Sequence, residues 1–166
     1  MSSAIQAAAL PQHPIPELSG NALMNIGLDL GNTFSLATQD GSPWVASWGI
    51  EGTTFVATQL ALSLNWHHSL LTTDQQLRIT QFEAGLHYPT EIFGFYDGIK
   101  LGWRGGIAWI TDPTQTRLSL CGGPVLSYDM PIGNGFTLGA RGSYHLILRT
   151  PWMHQSRLEA SLAYWF

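Results

Sequence analysis

Over most of this 166-residue chain, apolar and polar side chains alternate with a period of two. That period suits a strand with two unlike faces. It does not suit a helix, where like residues recur every three or four. Met24, Ile26, Leu28, Leu30, Phe34 and Leu36 fall on one face, and Asn25, Gly27, Asp29, Gly31, Thr33 and Ser35 on the other. Trp44, Ala46, Trp48 and Ile50 alternate with Val45, Ser47, Gly49 and Glu51, after which a tight turn is expected around Gly52. Val56, Leu60, Leu62, Leu64 and Trp66 oppose Ala57, Gln59, Ala61, Ser63 and Asn65, and His67 to Gln76 reads as a polar loop. The second half repeats the pattern. Phe82 to Tyr88, Ile99 to Trp109, Leu118 to Asp129, Phe136 to Arg149 and Arg157 to Phe166 are all two-faced, for about eight strands.

Asp40–Pro43, Thr111–Pro113 and Gly133–Gly135 carry the Gly, Pro, Asn and Asp of turns. Pro124, after Gly122–Gly123, would remove a ladder hydrogen bond, so a bulge is expected there. Pro89–Gly98 is apolar for a turn and reads as a strand extension or an interfacial segment. Residues 1–21 stand apart. An Ala-rich start is stopped by Pro11, Pro14 and Pro16, which predicts a flexible N-terminal arm ahead of a barrel over residues 22–166. No basic start with a long apolar run precedes the arm, so for an exported chain the mature form is the expectation.

Two closed barrels fit such a pattern. A soluble, lipocalin-like ligand-binding barrel turns its apolar face inward, whereas a membrane barrel turns it outward. Charged residues are only 11 % of the chain, against about 25 % in soluble domains. No apolar run approaches the ~20 residues of a membrane helix, which leaves a closed barrel as the spanning form. The polar face carries Lys100, Arg104, Arg117, Arg141, Arg149 and Arg157 together with Asp29, Glu51, Glu83, Asp129, Glu159 and many glycines. Small residues and paired charges suit the narrow interior of eight strands. Trp44, Trp48, Trp66, Trp103 and Trp109 lie on the opposite face, where they would crowd such an interior. The membrane barrel is the better reading.

The last ten residues add to it. Leu158, Ala160, Leu162, Tyr164 and Phe166 alternate with Arg157, Glu159, Ser161, Ala163 and Trp165, and the chain stops on the aromatic. This resembles the C-terminal assembly signal of bacterial outer-membrane β-barrels, here Leu158, Leu162, Tyr164 and Phe166. The whole pattern resembles the OmpA transmembrane domain and OmpX class. The resemblance implies an eight-stranded antiparallel up-and-down transmembrane β-barrel in the bacterial outer membrane, with its C-terminus on the periplasmic side. It implies contact with outer-membrane lipid and lipopolysaccharide, and with the barrel-assembly machinery during biogenesis. On that placement Trp44, Trp66 and Trp109 form an outer aromatic belt, and Tyr88, Tyr128, Phe136, Tyr164 and Phe166 an inner one.

Enclosed charges must pair. Asp29, Glu83, Arg104, Arg141 and Glu159, with His145 nearby, are expected to form a salt-bridge network across the lumen. Asp129, Glu51 and Lys100 would lie lower. Arg117, Arg149 and Arg157 would gather at the outer mouth, either solvated or against lipid phosphate. No cofactor or metal is expected. Cys121 is single, and His67, His68 and His154 read as loop residues without a third ligand. No basic patch points to nucleic acid. Lipid A deacylases of the outer membrane carry a His-x-Ser pair with a Glu, but His145 is followed by Leu146–Ile147. The leading expectation is therefore a non-enzymatic structural or accessory envelope protein, which anchors or docks another envelope component through its arm or its lipid-facing surface. A small-solute or ion channel and a lipid A-modifying enzyme are the alternatives.

Overall fold

The computed structural model describes residues 24–35, 45–57, 60–71, 77–89, 99–149 and 152–166. Eight antiparallel strands close into one barrel in sequence order: β1 (Met24–Ser35), β2 (Val45–Ala57), β3 (Leu60–Leu71), β4 (Leu77–Pro89), β5 (Ile99–Thr111), β6 (Thr116–Gly133), β7 (Phe136–Leu148) and β8 (Met153–Trp165). β1 pairs with β8 over Asn25↔Trp165 to Ser35↔Gln155, so no sheet edge remains. Up-and-down order places the start of β1 and the end of β8 beside the β2–β3, β4–β5 and β6–β7 connections, at what we call the chain-end rim. The other four connections form the far rim.

The barrel is turned inside out relative to a soluble protein. Leu28, Leu64, Trp103, Leu120 and Leu158 face outward and exposed, while Asp29, Glu83, Arg104 and Arg157 are buried. This is the membrane-barrel alternative of the two, and it follows directly from strand parity. Gly106 and Gly123 let neighbouring backbones approach. A Cβ at Gly106 would strike the Phe82 carbonyl oxygen, and one at Gly123 the Tyr144 carbonyl oxygen. The Gly133–Asn134–Gly135 turn forms as its sequence predicts, with Asn134 at φ 52° and Gly135 at φ 79°. At Asp112 the chain reverses, and the Asp112 backbone N–H donates a hydrogen bond to the Gln115 carbonyl. The Thr114 hydroxyl and the Thr114 and Gln115 amides donate to the Asp112 carboxylate and hold its pKa below the usual range.

Several local expectations are corrected. Gly52 is no turn; it lies inside β2, between Ile26 and Leu64. Gly-Thr-Thr reads as a turn, yet it continues the parity set by Glu51, and Val56 therefore belongs to β2. β3 runs on to Leu71, so His67 and His68 are strand residues, as is His154 in β8. Pro124 carries no bulge. The β6–β7 ladder skips Gly123 and Pro124 and resumes in the same register, from Gly122↔Leu146 to Val125↔Ser143. The proline loses a donor but inserts no extra residue. The register shifts lie elsewhere, between Phe55 and Ala57 and between Pro131 and Gly133. The expected arm (1–21), the 40–43 turn and most of the 89–98 segment fall outside the described residues.

Candidate functional site

The lumen is filled in layers. At the far end, Ile79, Ala108, Ile110, Cys121, Ile147 and Met153 pack as a buried apolar cluster, with Leu77 against it. These residues sit on the inward parity of β4 to β8 close to the far rim. There the strict alternation gives way to apolar residues on both faces, as in Trp109–Ile110 and Leu146–Ile147–Leu148.

Below this cap lies the first ionic layer. Arg157 Nη2 donates to both carboxylate oxygens of Glu83 at 2.9 Å. His145 Nε2 is 3.1 Å from Glu83 Oε1. His67 Nδ1 lies 3.0 Å from Glu159 Oε1 across the barrel. The second layer is built on Arg141. Its Nη1 donates to Asp29 Oδ2 at 2.8 Å and its Nη2 to Glu51 Oε1 at 3.0 Å. Arg104 pairs with the other oxygen of Glu51. Asn65 Nδ2 donates to Asp29 at 3.3 Å, and Thr53 Oγ1 donates to Glu51 at 3.0 Å. Towards the chain-end rim Lys100 pairs with Asp129 and lies over the Trp165 ring at 5.6 Å. Ser63 Oγ bonds His87 Nε2 at 2.7 Å. A recess of only about 10 Å³, space for about one water, opens between Glu51, His87, Lys100, Asp129 and Arg141.

The structure thus places Asp29, Glu83, Arg104, Arg141, His145 and Glu159 together inside the barrel. It divides them between two layers and adds Glu51, which bridges two arginines. Arg157 is the clear correction. It is 2 % exposed and bound to Glu83, so it belongs to the lumen and not to the mouth. Its inward parity and the Glu83 carboxylate draw it in. Arg117 and Arg149 do stand at the far rim, and neither forms an ion pair among the described residues.

His67, fully buried, is a lumen residue that sequence reading missed. The signal was present, because Ala61, Ser63, Asn65, His67 and Ser69 keep one parity to the end of β3. Gln81 and Gln155 are also fully buried in the lumen. Among the described residues no group of His, Cys, Asp or Glu is arranged to hold a metal ion.

Outside, Tyr88, Phe136, Tyr164 and Phe166 ring the chain-end rim, with Phe136–Tyr164 centroids 4.9 Å apart and Tyr164–Phe166 centroids 6.4 Å apart. Tyr128 faces outward five residues before the end of β6. Leu158 and Leu162 are exposed on β8. Trp109 stands two residues from the far end of β5. Trp66 is not at a rim, because β3 continues five residues beyond it; it packs edge-on against Trp48 at 4.6 Å. Trp44 lies outside the described residues. The His-x-Ser spacing absent at His145 does occur at His154 and Ser156 on the outer face of β8, where His154 Nδ1 meets the Tyr144 hydroxyl. Among the described strand residues, however, no carboxylate faces outward to complete such a set.

No family model matches the chain, and no curated protein matches it in sequence. Its backbone is similar to the crystal structure of Neisserial surface protein A, with a TM-score of 0.72 at 14 % identity over 86 % of this chain and 97 % of that one. It is also similar to Ail, the attachment invasion locus protein of Yersinia pestis, with a TM-score of 0.59 at 11 % identity over 88 % and 99 %. The N-terminal β-barrel domain of Pseudomonas aeruginosa OprF gives 0.52 at 13 % identity over 88 % and 100 %. At such identities the likeness is one of fold, that of the small eight-stranded outer-membrane β-barrels.

Proposed function

We propose that this chain, a barrel of the outer-membrane fold, is a non-conducting structural or accessory protein of the bacterial outer membrane, seated with its chain ends at the periplasmic face. The filled lumen carries the reading. Two ion-paired layers lie under an apolar cap, and the recess at the chain-end rim has room for about one water. A solute path would need a continuous hydrated bore, and every layer here blocks one. The exposed Leu, Ile and Trp of the outer face support residence in hydrocarbon.

Among the described strand residues no carboxylate faces outward beside His154 and Ser156, which supports a non-enzymatic role. The far connections cover only 36–44, 72–76, 112–115 and 149–152, which favours anchoring over attachment by projecting loops, the role that the name of Ail, the attachment invasion locus protein, suggests for that barrel. The docking part of the proposal falls to residues 1–21 and to the lipid-facing wall.

Fractionation with the outer membrane, heat-dependent gel mobility and silence in planar bilayers are the expected results. Step-like currents from the refolded chain would replace this reading with the channel. Crosslinking from residues 1–21 should capture an envelope partner, and full retention of partners after their deletion would remove the arm as the dock. Lipid A of unchanged mass on expression is the expected result against the enzyme.

A further inference from the structure

The two ends of the lumen are finished differently. At the far rim the inward apolar side chains Ile79, Ile110, Ile147 and Met153 are buried against one another. At the chain-end rim the inward apolar rings are Phe55 of β2 and Trp165 of β8, and among the described residues both stay partly exposed. They stack at 5.6 Å and 28°. The Trp165 indole N–H donates to Thr137 Oγ1 at 3.2 Å, and Lys100 Nζ lies 5.6 Å from the ring centroid, so the ring is held in one orientation. β1 starts between the strands that carry these rings. Met24 pairs with Thr54, one residue before Phe55, and Asn25 pairs with Trp165. Residues 1–23 therefore join the barrel beside the aromatic pair.

The composition of that segment suits the rings. Pro11, Gln12, His13 and Pro14 have the P-x-x-P spacing, and Ile15 and Pro16 follow. Proline-rich stretches dock on aromatic side chains, because their extended form is set before binding and little order is lost on contact. Glu17 is the sole Asp, Glu, Lys or Arg among residues 1–23, so little charge has to be desolvated. Pro14 lies ten residues before Met24. A flexible linker of that length averages about 16–19 Å and reaches at most about 33–36 Å. Such a tether gives an effective concentration on the order of millimolar, at which a weak contact is enough. The β4–β5 connection shares this rim and is also apolar, but β5 stands opposite β1 in a ring of eight strands.

We infer that residues 11–16 fold back and pack on Phe55 and Trp165, which closes the chain-end mouth over its recess. The inference goes beyond the docking role proposed for the arm. A partner that captures these prolines has to displace them from the mouth first.

The test places one cysteine in the arm, His13→Cys, and one at the mouth, Thr137→Cys, in the full chain carrying Cys121→Ser. The refolded protein is oxidised with glutathione disulfide, and the 13–137 link is timed by mass spectrometry of its digest. The link should form within single molecules. Replacing Pro11, Pro14 and Pro16 with Ser keeps the tether length and should slow it about fivefold, the worth of one aromatic contact. Phe55→Leu should slow it as well, with unchanged heat-dependent gel mobility. The proline variant lies outside the barrel, so its result does not depend on the lumen refolding around a new side chain. An unchanged rate in the proline variant overturns the proposal, because a free arm would then explain the link. A link formed mainly between two molecules overturns it in favour of a second copy. Faster linking from Phe95→Cys than from His13→Cys overturns it in favour of the β4–β5 connection. Each of these outcomes is read on protein that shows the folded mobility, so none of them disturbs the membrane-barrel reading.

Discussion

Glu51 shows what a single lumen residue is asked to do. Its two oxygens hold Arg104 and Arg141, and Arg104 pairs with no other carboxylate among the described residues. Replacing Glu51 with Ala strands a buried guanidinium, so the refolded barrel should lose about 3–5 kcal/mol in urea unfolding. The double variant Glu51→Leu, Arg104→Leu should recover most of it, because neither charge then remains unpaired. A loss below about 1 kcal/mol in the single variant would mean that water screens the layer and the lumen is not sealed. His67 is the parallel case on Glu159, and its removal should shift the midpoint in the same direction. Strand parity alone listed most of these side chains as inward. It could not say which carboxylate meets which cation, because that depends on the shear between strands, and so Arg157 reads as a mouth residue until Glu83 is seen beside it.

Within a strand, the same alternation decides how much of the fold can be read in advance. β8 from Arg157 and β4 from Phe82 follow their pattern residue for residue, and the parity of β6 passes through Pro124 unbroken. The boundaries were harder. Gly52 is a turn-type residue inside a strand, and His67–Ser69 carries polar residues on a strand that β2 pairs as far as Ser69 and β4 as far as Leu71. Local composition loses to pairing at both places. Two glycines, Gly106 in β5 and Gly142 in β7, separate in the same way. Gly106→Ala places a methyl 2.8 Å from the Glu83 Cα and against the Phe82 carbonyl, and should cost about 1–3 kcal/mol. Gly142→Ala meets nothing within 4 Å and should be neutral or stabilise by about 0.4–1 kcal/mol through the unfolded chain. Equal midpoints for the two variants in vesicle unfolding would contradict this register.

For the whole molecule, the closing strand separates folding from delivery. Phe166 is 60 % exposed, and its ring contact is with Tyr164. Deleting it should leave refolding into synthetic vesicles nearly unchanged and reduce the amount that reaches the membrane in cells, as measured by heat-shifted protein in membrane fractions. A matching loss in vitro would make Phe166 a structural residue and not a signal. The apolar cluster at the far end could not be foreseen from periodicity, because Ile79, Ile110, Ile147 and Met153 break the polar rule of the inner face close to the far rim. That stopper makes the interior a blind well instead of a tube. Lys100 and Asp129 at the chain-end rim are partly exposed while Asp29, Glu83 and Arg104 above them are buried, so a water-soluble maleimide supplied on either side should leave the Cys121 thiol unmodified. Shortening Ile110 and Ile147 to Ala should open it to reagent from the far medium alone.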